Sequence, residues 1–268
     1  MYPIVASDMD GTLLNQEHTL SPYTRETLQR LTERGIHFIF ATGRHFLDIA
    51  QIRESMGIDA FMITSNGARV HDAQDNLIYS QNLAPDIAQA LYDLVFDDDD
   101  IQTHVYKDTQ WYTNRVCPEE IAAFFQESKF DYQLFNKGEL SPNEASKVFY
   151  ISEHDRLLAL EKEINERFGD KVNASFSNTC CLEVMDGHVS KGQALKYVAQ
   201  RLGYSLADCI AFGDGMNDEE MLTMAAKGCI MENAPLRLKK KLPMLEVIGN
   251  NQENAVAKYL RSHYAVIG

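Results

Sequence analysis

Tyr2-Pro3-Ile4-Val5-Ala6-Ser7-Asp8-Met9-Asp10-Gly11-Thr12-Leu13-Leu14 is the stretch on which the fold turns. The run from Tyr2 to Ser7 is short and apolar and ends at an acid, as a strand does when both faces of a parallel sheet are covered. Two carboxylates two residues apart follow, and they are costly to hold together unless a cation or a proton compensates. Gly11 allows a sharp turn that can bring backbone N–H groups to an anion. A turn with two solvated acids is the simpler alternative. A calcium loop fits less well, because the EF-hand ligand at position 5 and the glutamate at position 12 are missing.

Outward from this stretch the chain alternates strands and helices. Ser21-Pro22 starts an amphipathic segment with Leu28 and Leu31 three apart, closed by Gly35, which combines a Ser cap, a first-turn Pro and a Gly past the end. Ile36–Ala41 and Phe61–Thr64 read as further buried strands, with a helix from Phe46 to Met56 between them. This βαβ rhythm predicts an α/β fold, a doubly wound Rossmann-like parallel sheet. From Leu83 the rhythm changes to helices alternating with paired strands, Gln102–Lys107 with Gln110–Asn114, Lys147–Ile151, and Val172–Phe176 with Cys181–Met185. At Gly187 the first rhythm resumes, with a helix over Lys191–Leu202, a strand over Asp208–Phe212 and a helix over Asp218–Ala226. Short strands at Cys229–Met231 and Leu245–Ile248 and a helix over Asn254–Tyr264 complete it. The expected division is a core of residues 1–82 and 187–268, interrupted by an inserted α+β domain of residues 83–186.

Composition narrows the function. The 268 residues carry 25 basic against 39 acidic side chains, a net charge of −14, which repels phosphate backbones and argues against nucleic-acid binding. A small anionic substrate needs only a local positive site. No run of about 18 apolar residues suggests a membrane span, and an acid by position 8 argues against a secretory leader, so a cytoplasmic location is expected. The five cysteines are odd in number, lack a C-x-x-C pair, and read as reduced and mostly buried; Cys180 and Cys181 would point to opposite faces of a strand. Asp97-Asp98-Asp99-Asp100 reads as a solvated turn.

Four further motifs stand at ends of expected strands, where open α/β sheets bind ligands. Thr42-Gly43-Arg44 offers a hydroxyl, an amide and a guanidinium suited to phosphate, or simply a Thr cap and a surface Arg. Ser65-Asn66-Gly67-Ala68 is explained by a turn without any ligand. Lys191, after Ser190 at a helix start, is a poor partner for the dipole there, so the position suggests an anion beside it; an exposed lysine is the plain alternative. Gly213-Asp214-Gly215-Met216-Asn217-Asp218 places three short oxygen-bearing side chains where they can converge on one hard cation.

In this order, the motifs Asp8-x-Asp10-Gly11-Thr12-Leu13-Leu14, Thr42-Gly43-Arg44, Ser65-Asn66-Gly67-Ala68, Ser190-Lys191-Gly192 and Gly213-Asp214-Gly215-x-Asn217-Asp218 resemble those of the haloacid dehalogenase-like phosphohydrolases. Within them the chain is similar to the Cof-type members with a large α+β cap (class IIB), and in its cap and tail to the enteric branch associated with pyridoxal phosphate and sugar phosphates. The resemblance implies a magnesium-dependent hydrolase of small phosphate monoesters. It makes Asp8 the nucleophile that forms an aspartyl phosphate and Asp10 the group that protonates the departing alkoxide and later deprotonates water. Mg2+ would be held by Asp8, the Asp10 carbonyl and Asp214. Thr42 and the amides of Met9 and Gly43 would hold phosphoryl oxygens with Lys191 and Asn217. Asp218 would orient the metal shell or Lys191, while Arg44 and Asn66 would approach the substrate. The cap would lie over the pocket, with Trp111, Tyr112, Asn114, Arg115, Phe149 and Cys181 as candidate contacts that are otherwise core residues.

Several positions depart from the family pattern: Met185-Asp186-Gly187-His188-Val189 lacks a common proline, Glu232 stands where glycine is usual, and Asn254-Ala255-Val256 replaces an acid-Gly-Val. Glu232 is the departure expected to reach the back of the pocket. The resemblance suggests a monomer or weak homo-oligomer. The alternatives are a phosphomutase of the same superfamily, a non-catalytic binding homologue, and a phospho-receiver domain, whose acid follows the third strand rather than the first.

Overall fold

Ile4–Asp8 forms strand β1 and is buried along its whole length, the consequence of an apolar run covered on both faces. Beside it lie β2 (His37–Ala41) and β3 (Ala60–Thr64) on one side, β12 (Cys209–Gly213), β13 (Lys227–Met231) and β14 (Glu246–Ile248) on the other. Every pair among these six is parallel. Two strands the sequence reading omitted, β4 (Arg69–His71) and β5 (Leu77–Ser80), extend the sheet to the order β14-β13-β12-β1-β2-β3-β4-β5, and β4 runs antiparallel to β3. The order reverses at β1, so its carboxyl end and that of β12 open side by side, where such sheets take ligands.

The computed structural model describes residues 1–118 and 130–266 and divides into two compact units. The first comprises Met1–Gly43, Gln51–Tyr79 and the chain from Ser190 onward. Alternate residues of its strands face opposite helical layers. Ile4, Ala6, Ile39, Ala41 and Ala211 pack with Leu195, Val198, Met221 and Leu222 of helices α5 (Lys191–Arg201) and α6 (Glu219–Met224). On the other face Phe38 stacks on Phe40, and Phe212 meets the edge of Tyr259 in α8 (Ala255–His263). Helix α1 (Pro22–Thr32) starts as its cap signature requires, with Ser21 Oγ accepting from the Thr24 N–H at 3.1 Å. Helices α2 (Ala50–Met56) and α7 (Leu236–Lys241) complete the unit.

The second unit comprises Arg44–Ala50 and Ser80–Val189. Its sheet runs β10 (Val172–Asn178), β11 (Cys181–Asp186), β9 (Ala145–Ile151), β6 (Gln102–Lys107), β7 (Gln110–Thr113), β8 (Tyr132–Leu134). It is antiparallel except for β7 with β8. Helices α3 (Pro85–Leu94) and α4 (His154–Phe168) pack on this sheet. Tyr150 donates its hydroxyl to the Leu91 carbonyl at 2.8 Å, which ties α3 to β9. Tyr106, Trp111, Cys117, Phe130, Phe149 and Cys181 form a separate buried cluster. Beside it Lys147 Nζ, 2.5 Å from Glu183 Oε1, lies over the rings of Tyr106 and Phe149. Of the expected contacts in this unit, Trp111, Phe149 and Cys181 are core, and Arg115 donates to the carbonyls of Phe96, Asp98 and Asp99. Asn114 Oδ1 accepts the Thr103 N–H, and Tyr112 lies in β7.

Three expectations change. The helix expected over Phe46–Met56 begins only at Ala50. His45 is the cause: its Nδ1 accepts the Leu47 N–H, its Nε2 sits 2.7 Å from the Asp108 carbonyl, and its ring stacks on Phe130. Those contacts hold Phe46–Ile49 as a turn, a tertiary override of helical propensity. Cys180 lies exposed in the β10–β11 turn, not in a strand, while its neighbour Cys181 is buried. The helix expected from Asp218 is preceded by a tight turn, Met216–Asp218, and starts at Glu219. The acidic run is a turn, with Asp98 accepting the Asp100 N–H and pairing with Arg156. That N–H bond and then Arg156 hold the Asp98 carboxyl below its usual range.

The Lys147–Glu183 pair is nearly sealed from water, so removing one partner strands a charge. Glu183→Leu should destabilise the protein by about 3–5 kcal/mol, and Lys147→Met in the same chain should restore most of that. Urea unfolding of the single and double variants checks it.

Candidate active site

Asp8 ends β1 and the chain turns at once through Met9–Leu13. Asp10 stays extended and Gly11 adopts φ +75°. A Cβ on Gly11 would sit 2.4 Å from Asp214 Oδ2, so only glycine lets the loop after β12 close on the loop after β1. Thr12 Oγ1 then donates to Asp214 Oδ1 at 2.6 Å. The sequence reading assigned Thr12 no such task; its proximity to Asp214 depends on two segments 202 residues apart.

The turn after β3 passes through three successive left-handed residues, Ser65, Asn66 and Gly67. A Cβ on Gly67 would lie 2.3 Å from the Ser190 carbonyl oxygen, so the turn abuts the start of α5. Asn66 donates its N–H to the Thr42 carbonyl, and its Oδ1 accepts from Asn217 Nδ2 at 3.0 Å. Asn66 thereby joins the loops carrying Thr42 and Asn217, and the second N–H of the Asn217 amide is directed elsewhere. Thr42 is buried, held by its N–H to the Ile63 carbonyl at 2.8 Å.

Lys191 is the hub. At the first turn of α5 its charge opposes the helix dipole, and Ser190 Oγ caps that helix by accepting the Gln193 N–H. The ammonium is 1% exposed and bridges Asp8 Oδ1 at 2.8 Å and Asp218 Oδ1 at 2.7 Å. Asp218 Oδ2 accepts the N–H groups of Asp214 and Gly215 at 2.9 and 2.8 Å. Burial alone would depress Lys191, but the carboxylates of Asp218 and Asp8 hold it above its ordinary range. Burial, then Asp218, push Asp8 well above its ordinary value against the pull of Lys191. Burial and Asp218 likewise raise Asp214 to about 7.

Asp8, Asp214 and Asp218 each offer an oxygen within 4.8 Å of the others. The set is all hard oxygen, which suits magnesium. Two of its members are driven toward protonation by their surroundings, the condition a divalent cation relieves. The residues fit such an ion. Both Asp218 oxygens are engaged, one by Lys191 and the other by two backbone amides.

Among the expected site residues, Asp8, Met9, Asp10, Thr42, Gly43, Asn66, Lys191, Asp214, Asn217 and Asp218 belong to the first unit. Arg44 belongs to the second, where its Nε donates to buried Asp48. Glu232, expected to reach the pocket, is exposed, and its carbonyl accepts from Lys239. Its neighbour Asn233 instead holds the site, donating to the Gly11 carbonyl at 2.7 Å.

Residues 5–260 match the family model described as haloacid dehalogenase-like hydrolase. A Haemophilus influenzae chain whose name calls it a phosphatase, with no substrate in it, is 44% identical over 264 residues, covering 98% of this chain and 97% of its own. An HMP-PP phosphatase of Klebsiella pneumoniae is 40% identical over 260 residues, covering 97% of this chain and 95% of its own. The solved structure of a haloacid dehalogenase-like hydrolase from B. subtilis superposes with a TM-score of 0.84 at 25% identity, covering 97% of this chain and 99% of that one.

Folded Asp214 keeps its proton up to about pH 7, whereas the ordinary aspartate value is 3.8, so the folded chain binds more protons between those limits. Metal-free protein should therefore lose stability as pH rises through that window, and Asp214→Asn should flatten the loss. Magnesium should raise the Tm of the wild type at the upper limit and not that of Asp214→Asn. Thermal unfolding in chelator and in magnesium across the window checks both.

Proposed function

The chain belongs to the haloacid dehalogenase-like hydrolases and is a phosphatase of the Cof type, and on that premise we propose that it hydrolyses small phosphate monoesters through an aspartyl phosphate on Asp8. The observation that carries the reading is the buried Lys191 ammonium shared by Asp8 and Asp218, with Asp214 beside them. A carboxylate held beside this ammonium is a positioned nucleophile, and its own charge would otherwise repel phosphate.

Asp8, the Asp10 carbonyl and Asp214 are the groups that would hold magnesium, which when bound neutralises charge on the carboxylates and on phosphoryl oxygen. Asp8 attacks phosphorus as the ester P–O bond breaks, and Asp10 gives its proton to the departing oxygen. Water then attacks phosphorus, Asp10 takes its proton, and the Asp8–phosphorus bond breaks. Lys191 stays charged throughout, because the two carboxylates favour its protonated form. Thr42, Asn217 and the amides of Met9 and Gly43 hold the phosphoryl oxygens, donors that need no reorganisation as charge develops.

We assign the choice of ester to the second unit. Pyridoxal phosphate and sugar phosphates are the substrates proposed, and the name of the K. pneumoniae relative adds HMP-PP to the set to be assayed.

Asp8→Asn should lower phosphate release by more than about 10⁴-fold while leaving the Tm within a few degrees of wild type. Release measured over those esters, with magnesium and with chelator, tests the reading. Retained turnover in a homogeneous Asp8→Asn preparation would sink it.

A further inference from the structure

The loop between β1 and α1 brings a histidine to the acid pair. His18 Nδ1 lies 2.7 Å from Asp10 Oδ1. His18 has φ +53°, a left-handed conformation uncommon for any residue with a side chain, though His, Asn and Asp adopt it more readily than most. Asn15 builds the turn that imposes it. Asn15 Oδ1 accepts the N–H groups of Glu17 and Thr19 at 3.0 and 2.9 Å and the Thr19 hydroxyl at 3.0 Å. The Asn15 carbonyl accepts the His18 N–H and the Asn15 N–H donates to the Thr19 carbonyl, both at 3.1 Å. The preceding segment is fastened too, because Asn251 Nδ2 donates to the Leu14 carbonyl at 2.8 Å and Asn233 Nδ2 to that of Gly11. Backbone strain persists where surrounding structure over-determines it, and such places cluster at functional sites.

We propose that His18 is a positioning residue for Asp10, a role that rests on the reading of Asp10 as the group that moves the proton. The torsion that turns a carboxyl is broad, so a carboxyl at the surface samples many orientations. A carboxylate accepts, so Nδ1–H donates to Oδ1, and the reacting proton is assigned to the other oxygen, Oδ2. In the first half, the Asp8–phosphorus bond forms, the ester P–O bond breaks, and the proton on Oδ2 passes to the departing oxygen. In the second, the bond from water to phosphorus forms, the Asp8–phosphorus bond breaks, and the water proton returns to Oδ2. His18 keeps its own proton in both halves.

A residue that only stiffened the loop would slow every ester alike; one that aims a proton matters most where the departing oxygen is basic. Phenyl phosphate and p-nitrophenyl phosphate have similar shapes and leaving oxygens of different basicity, and kcat/KM covers only the steps up to departure. His18→Ala should lower kcat/KM for phenyl phosphate by about tenfold, only part of the 10²–10⁴ that a general acid supplies, and for p-nitrophenyl phosphate by no more than about threefold. His18→Asn tolerates the left-handed backbone and sets an amide N–H where Nδ1 stood, so it should bring phenyl phosphate back to within about threefold of wild type. Equal losses on the two esters would overturn the proposal, as would a His18→Asn chain of wild-type Tm that performs no better than His18→Ala. Failure of the phosphatase reading itself looks different: phosphate release surviving in Asp8→Asn, or none from either ester with the wild type, which removes the proposal's basis as well.

Discussion

One buried ammonium holds the site together. Three carboxylates within 4.8 Å of one another would not stay in a largely dry pocket by themselves. Lys191 compensates two of them directly, and the backbone amides of Asp214 and Gly215 absorb the remaining oxygen of Asp218. Asp214 has a weaker partner, the Thr12 hydroxyl, and its carboxyl rises to about 7. Three carboxylates against one ammonium leave the balance two positive charges short, which is the electrostatic opening a divalent ion fills.

That requirement explains features remote from the carboxylates. Lys191 must point back from a helix start, where the dipole disfavours it, so α5 is seated against β3's turn with no room for a Cβ at Gly67. Asp214 must approach the turn after β1, so Gly11 carries none either. The same turn is pinned from the far end of the chain by Asn233 and Asn251, which links its order to distant strands and helices. Stability is thereby spent on holding like charges and bent backbone in place, the usual trade at a site built for chemistry.

The second unit shows a different economy. Its polar core, Lys147 with Glu183 under aromatic rings, is internally paired. Its arginines mostly serve carbonyls and the acidic turn, with Arg115 on Phe96, Asp98 and Asp99, and Arg156 on Asp98 and Asp100. Arg44 differs, pairing with the buried carboxylate of Asp48.

The strand-and-helix alternation, the acid pair after β1 and the glycine-flanked acids after β12 were legible in the amino-acid order, because local apolar runs and turn residues encode them within a few positions. Gly11 was legible for the same reason. Contacts across long separations were not: Thr12 on Asp214, Asn66 on Asn217, Asn233 on Gly11, and His45 keeping residues 46–49 out of a helix. His18 lay only eight residues from Asp10, yet no period or motif marks a left-handed histidine. Sequence alone determined which chemical groups are present and which strand ends carry them. The tertiary structure decided which of them share a proton, a charge or a hydrogen bond, since those energies depend on distances of about 3 Å that no spacing along the chain specifies.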